Sequence, residues 1–249
     1  MAGHNKWSKI KRKKGANDAK MSKIYSKLIK EIQVAVKMGG PDPEANPRLR
    51  LAIQNSKGQN MPKDNVERAI KKASGEDDTV YEEVTYEGYA PHGVAIFIEC
   101  TTDNTNRSVA NVRSYFNKFD GSLAKNGSLE FIFDQKGIFT FKEPENFDRD
   151  EFELEMIDAG AEEIENEDGE ISITTTREDF GSVQNKLESM GIETDEAGLK
   201  RIPKVMKDLT PDQFKTVNKL IELIEDDDDV QEVYHNVQAY DEILAAIEE

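Results

Sequence analysis

One cysteine and three histidines leave this chain of 249 residues nearly without the side chains that build disulfides and zinc sites. A lone thiol cannot form an internal disulfide framework, and scattered His4, His92 and His235 make poor metal-ligand spacing. Cys100 sits in the apolar run GVAIFIEC and reads as a small buried hydrophobe. No apolar stretch approaches the roughly 20 residues that span a bilayer. The N-terminus MAGHNKWSKIKRKK is cationic but lacks an apolar segment behind it, so no secretory signal is expected. The expected compartment is the cytoplasm or, after processing, an organelle matrix. P-loop, GxSxG and HExxH motifs are missing, and so few histidines leave little for general acid–base chemistry. The sequence therefore reads as non-enzymatic, with no cofactor and no metal implied.

What the chain has is charge, unevenly placed. Residues 1–75 hold 18 of the 33 Lys+Arg but only 6 of the 50 Asp+Glu; the remaining 174 residues hold 15 and 44. A cationic segment of net +12 is fused to a body of net −29. A clustered positive field is the first electrostatic requirement for gripping a phosphate backbone.

Periodicity divides the chain at the same place. Ile24, Leu28, Ile32 and Val36 recur every four residues, one stripe of an amphipathic helix ended by Gly39-Gly40-Pro41. Asn46-Pro47 opens a second helix, with a side-chain cap followed by proline. A third begins near Pro62 and places Val66, Ala69, Ile70 and Ala73 on one side. Three helices there form a small bundle, and GEDDT marks a linker. Beyond it, the period alternates between 2 and 3.6. VTYEGY, GVAIFIECT, SLEFIFDQ, GIFTFKE, EEIE, EISITTT, an extended stretch 192–206 and residues 229–238 read as strands. Helices are expected at 104–119, 148–159, 180–190, from Thr210-Pro211 onward, and at 240–247. Residues 137–200 spell βαββαβ, and 93–134 with 199–238 spell a second such plait. The expected fold is α+β: a three-helix N-terminal domain and two ferredoxin-like domains, one inserted in the other. The expected boundaries are 1–78 (basic helical), 79–135 with 201–249 (discontinuous α+β) and 136–200 (inserted α+β).

The densest chemical signal is the tract from Lys6 to Lys14. Lys6, Lys9, Lys11, Arg12, Lys13 and Lys14 surround Trp7, which serves either as a stacking platform or as a core anchor. Lys20, Lys23, Lys27 and Lys30 then share one face of the first helix, away from its apolar stripe. Arg48, Arg50, Lys63, Arg68, Lys71 and Lys72 extend the set over the next two helices. Together these are the candidate nucleic-acid contacts. A helix-turn-helix reading of helices two and three has no obvious base-reading side chains to support it. The acidic run Glu225–Asp229 reads as a solvated helix end, because it lacks the alternating ligands and glycine of a calcium loop.

Four stretches, AGHNKWSKIKRKKGANDAKMSKIYSKLIKEI, GGPDPEANPRLRLAIQNSKGQNMPKDNVERAIKKASG, YEGYAPHGVAIFIECTTDNTNRS and GSLAKNGSLEFIFDQKGIF, resemble the YebC family, which includes the mitochondrial translational activator of cytochrome c oxidase. The resemblance is dense over residues 2–137. It implies a three-domain, hook-like protein that regulates gene expression without catalysis. Members have long been described as DNA-binding transcriptional regulators, and more recently as ribosome-associated factors that help translation through difficult sequences. The implied partners are therefore ribosomal RNA with the ribosome, or DNA. Met21 and Thr105 stand where the family usually has a basic residue, and His92 and Lys125 where it usually has glycine.

Overall fold

The computed structural model describes residues 18–75, 79–144, 148–240 and 242–243. They fall into two compact units, drawn from Met1–Lys27, Asp78–Asp134 and Ile202–Glu249, and from Leu28–Asp77 and Gln135–Arg201. The elements are α1 (Asp18–Gly39), α2 (Pro47–Gly58), α3 (Lys63–Ser74), β1 (Glu82–Ala90), β2 (Val94–Thr102), α4 (Thr105–Lys118), β3 (Ser122–Leu123) and β4 (Phe133–Lys142). They continue as α5 (Arg149–Asp158), β5 (Ala161–Glu167), β6 (Glu170–Thr176), α6 (Phe180–Ser189), β7 (Glu196–Pro203), α7 (Pro211–Glu225) and β8 (Val230–His235). The fold is α+β, as expected. Most of the terminal helix anticipated at 240–247 lies outside the described residues.

In the first unit the strand order is β3-β1-β2-β8. Each neighbouring pair is antiparallel. Hence β2 and β3 run parallel with β1 between them, joined through α4, while β8 runs parallel to β1. This is a ferredoxin-like plait whose usual third strand comes first in the chain. β2 is buried on both faces, which explains its nearly unbroken apolar run. Val94, Ile96, Ile98 and Cys100 pack with Val112 and Phe116 of α4 and with Phe214, Val217, Ile221 and Ile224 of α7. Ala95 and Phe97 face the other way, onto Leu129, Ile132, Phe133 and Tyr234. Thr210 starts α7 with a full capping box, its hydroxyl accepting from Gln213 N while the Gln213 side chain accepts from Thr210 N.

Only the last three residues of SLEFIFDQ are strand, as the start of β4, and the rest is not the strand its alternation predicts. Residues 126–132 form a chain of turns, and the strand that fills that slot is the two-residue β3. Alternation would align Leu129, Phe131 and Phe133, yet Leu129, Ile132 and Phe133 are buried while Phe131 is 66% exposed. The cause is Glu87. Its buried carboxylate accepts from Gly127 N (2.6 Å), Leu129 N (2.5 Å) and Ser128 Oγ (3.4 Å), which takes up donors a strand would offer to a neighbour. The plait also takes β1 where the sequence assigned 199–206, because the 196–203 strand belongs to the other sheet.

In the second unit β4-α5-β5-β6-α6-β7 gives the strand order β5-β6-β4-β7, the plait in ordinary chain order. Phe139, Phe141, Ile171 and Ile173 of the sheet bury against Phe152 and Met156 of α5 and Val183 and Leu187 of α6. Asp168 and Gly169 both adopt positive φ, the requirement of the tight hairpin turn read from EDG. α2 lies along the edge strand β7. The Asn55 side chain donates to Ala197 O (2.8 Å) and accepts from Ala197 N (2.9 Å), as a neighbouring strand would. Gln54 Nε2 donates to Thr194 Oγ1 at 2.8 Å. The approach is so close that a Cβ on Gly58 would stand 1.8 Å from Asp195 O. In α1, residues 32–36 are all buried, so this turn is enclosed on every side rather than along a single stripe.

Candidate nucleic-acid interface

Lys6, Trp7, Lys9, Lys11, Arg12, Lys13 and Lys14 lie outside the described residues, as does the side chain of Lys20. The other candidate cations, Lys30 apart, divide into two groups. Four are tied to the protein itself. Lys23 Nζ is 2.5 Å from Asp226 Oδ1. Lys27 Nζ donates to the carbonyl of Glu225 (3.2 Å), at the negative end of the α7 dipole, and to that of Gln231 (3.4 Å) in β8. Arg48 forks onto Glu31, Nε to Oε1 at 2.8 Å and Nη2 to Oε2 at 3.2 Å, which joins α2 to α1. Arg50 donates from Nη1 to Pro43 O at 3.0 Å, with Nε 3.8 Å from Glu188 of α6. The last three side chains position helices, whereas the Lys23 pair is the more exposed.

The second group is on the open surface of α3. Val66, Ala69 and Ala73 form its buried side, and Lys63, Arg68, Lys71 and Lys72 are exposed. Lys63 stands 3.5 Å from Glu67, one turn away, and Arg68 bonds Asn65 and the Asp64 carbonyl. Exposed pairs of this kind hold weakly and exchange readily for a phosphate. Lys30 is half-buried on α1. Among the described residues, α3 is therefore the surface best disposed to a polyanion.

Sequence reasoning passed over a second polar constellation. Arg107, Asn111 and Tyr115 stand at successive i, i+4 positions of α4, and all three meet the acidic turn after α7. Arg107 grips Asp229 from Nε (3.1 Å) and Nη2 (2.7 and 2.9 Å) and also reaches Asp103 at 2.7 Å. Hydrogen bonding to Asp229 and then to Asp103 holds the guanidinium pKa above its already high value. Asp227 Oδ2 accepts from Asn111 Nδ2 (3.0 Å) and Tyr115 OH (2.8 Å). Burial first, and the Asp227 bond second, push the Tyr115 hydroxyl up to about 12. The acidic run is thus a solvated helix end only in part: Asp226 and Asp228 are exposed, whereas Asp227 and Asp229 organise a turn, and the polar face spaced by four on α4 was the signal for it.

Comparison with known proteins places this geometry among relatives. Residues 5–76 match the pattern of the TACO1/YebC protein N-terminal domain, and residues 81–237 that of the TACO1/YebC second and third domain. A probable transcriptional regulatory protein of Amoebophilus asiaticus is 54% identical over 95% of this chain and 98% of its own length. One from Geotalea uraniireducens, with the same name, is 50% identical over 97% and 98%. The crystal structure of a conserved hypothetical protein from Aquifex aeolicus superposes with a TM-score of 0.78 at 40% identity, covering 91% of this chain and 94% of that one.

Proposed function

The chain belongs to the TACO1/YebC family, and on that footing we propose that it is a non-enzymatic regulator of gene expression that grips RNA of the ribosome through its basic N-terminal residues and supports translation. The observation that carries this reading is the division of charge, net +12 over residues 1–75 against net −29 over the rest. Lys6 to Lys14 neutralise phosphates, and the exposed cations of α3 extend the grip. Long flexible cations suit the irregular backbone of a folded RNA, where recognition rests on shape and phosphate contact more than on groove reading. The same charge division accompanies the three-domain boundaries given above, which we retain as part of the proposal.

Sedimentation of ribosomes tests the reading. The full chain is expected to pellet with ribosomes at low salt and to be released as salt rises, because each neutralised phosphate contributes to the salt slope. Recovery only in the supernatant, with both idle and stalled ribosomes, overturns it. The second reading is a DNA-binding transcriptional regulator, favoured by the names of the Amoebophilus and Geotalea relatives. It predicts a promoter fragment that keeps its complex in the presence of excess random DNA.

A further inference from the structure

The turn that ends α7 is built to hold its shape. Asp227 is fixed by Asn111 and Tyr115, and its Oδ1 accepts from Asp229 N at 2.9 Å. Asp229, with its side chain 6% exposed, is clasped by Arg107 and accepts from Thr102 Oγ1 at 3.0 Å. Asp226 and Asp228 are the exposed members of the run; the Asp226 side chain is 65% exposed, and its carboxylate meets Lys23. One helical turn along α1, Lys27 closes on the Glu225 and Gln231 carbonyls. All of these residues belong to the same unit. The turn and the start of β8 therefore present to two successive lysines of α1 what a nucleic-acid strand presents: one anionic oxygen followed by neutral acceptors.

We propose that the turn 225–229 is an internal stand-in for nucleic acid, occupying the Lys23–Lys27 face of α1 until a phosphate displaces Asp226 from Lys23. Lys27 is partly buried and acts as the anchor. Lys23, 43% exposed, is the cation that changes partner. Rigidity matters here. Because Arg107, Asn111 and Tyr115 hold the turn, Asp226 waits at a fixed distance when Lys23 lets go, so the contact re-forms on release of the ligand. The device rests on the nucleic-acid reading above. It gives part of the acidic body a role, as a competitor that discourages weak, nonspecific polyanions from engaging α1.

The test uses the full chain and a mixed-sequence single-stranded RNA of 20 nucleotides at fixed salt. Asp226→Asn is expected to bind about two- to fivefold more tightly than the unchanged protein, the size of an exposed ion pair. The comparison is Glu130→Gln, which makes the same change of net charge at an exposed site of the same unit. An Asp226→Asn affinity no tighter than that of Glu130→Gln overturns the stand-in and leaves RNA binding intact. Absence of binding by every form overturns the nucleic-acid reading and the stand-in with it. A second measurement needs no variant. A carbodiimide joins touching amines and carboxylates, so it is expected to link Lys23 to Asp226 in the free protein and to lose that product at saturating RNA. An undiminished Lys23–Asp226 product at saturation overturns the displacement.

Discussion

His92 holds its backbone at φ +64, in the turn between β1 and β2, with its side chain exposed. Left-handed backbone costs an L-residue on the order of 1 kcal/mol that glycine does not incur. This is the position where the family resemblance led to an expectation of glycine. His92→Gly is therefore expected to raise stability by up to about 1 kcal/mol, read as a higher midpoint in urea with an unchanged slope. Asn46 shows the opposite case, a polar side chain buried because every bond it needs is present. Its Oδ1 caps α2 at Leu49 N (3.1 Å), and its Nδ2 donates to Ala35 O (2.7 Å) and Gly40 O (2.8 Å). Asn46→Ala removes a cap and two donors from the Ala35 and Gly40 carbonyls, so a loss of about 2–3 kcal/mol is expected in the same measurement. The cap was readable from Asn-Pro. The bonds back to the end of α1 were not, since they depend on two helices meeting.

At the scale of elements, the junction of α4 with the turn after α7 carries a pH signature. The Tyr115 hydroxyl titrates at about 12 in the folded chain, against an ordinary value near 10. Between those values the folded state holds a proton that the unfolded state has released, so stability is intact below about pH 10 and falls as pH rises toward 12. Tyr115→Phe is expected to flatten that decline, measured as melting temperature against pH from 9 to 12. The turn region 125–132 offers another test. Removing the buried acceptor by Glu87→Ala leaves the Gly127 and Leu129 amides without their partner, and hydrogen exchange at both is expected to accelerate strongly while β2 stays protected. This segment also shows where periodicity misleads. Leu129, Phe131 and Phe133 alternate as a strand should, but a carboxylate some 40 residues earlier captures the backbone first. A lone glutamate in the middle of VTYEGY was the trace of it, and nothing local says which donors it will meet.

For the molecule as a whole, the charge division sets the expectation for Lys11, Arg12, Lys13 and Lys14. Changing all four to Ala should weaken ribosome or RNA binding and lower the salt slope by roughly 3, at about 0.7 per lost phosphate contact on a single strand. Melting behaviour should stay close to that of the unchanged protein, which separates lost binding from lost folding. Local physics on the chain already settles several things: helix starts at Asn46, Asn104, Asp148 and Thr210, the doubly buried β2, the Asp168-Gly169 turn and the contrast of charge. Each depends on residues within a few positions of one another, so neighbouring side chains suffice to decide it. Partnership does not work that way. Whether Lys23 and Lys27 face solvent or the α7 turn, whether Arg48 and Arg50 reach for phosphate or brace helices, and whether β1 or residues 199–206 complete the first sheet are settled by groups up to about 200 positions apart. Only folding brings those groups within hydrogen-bond range. A lysine's charge is a property of the sequence, whereas its counterion is a property of the fold.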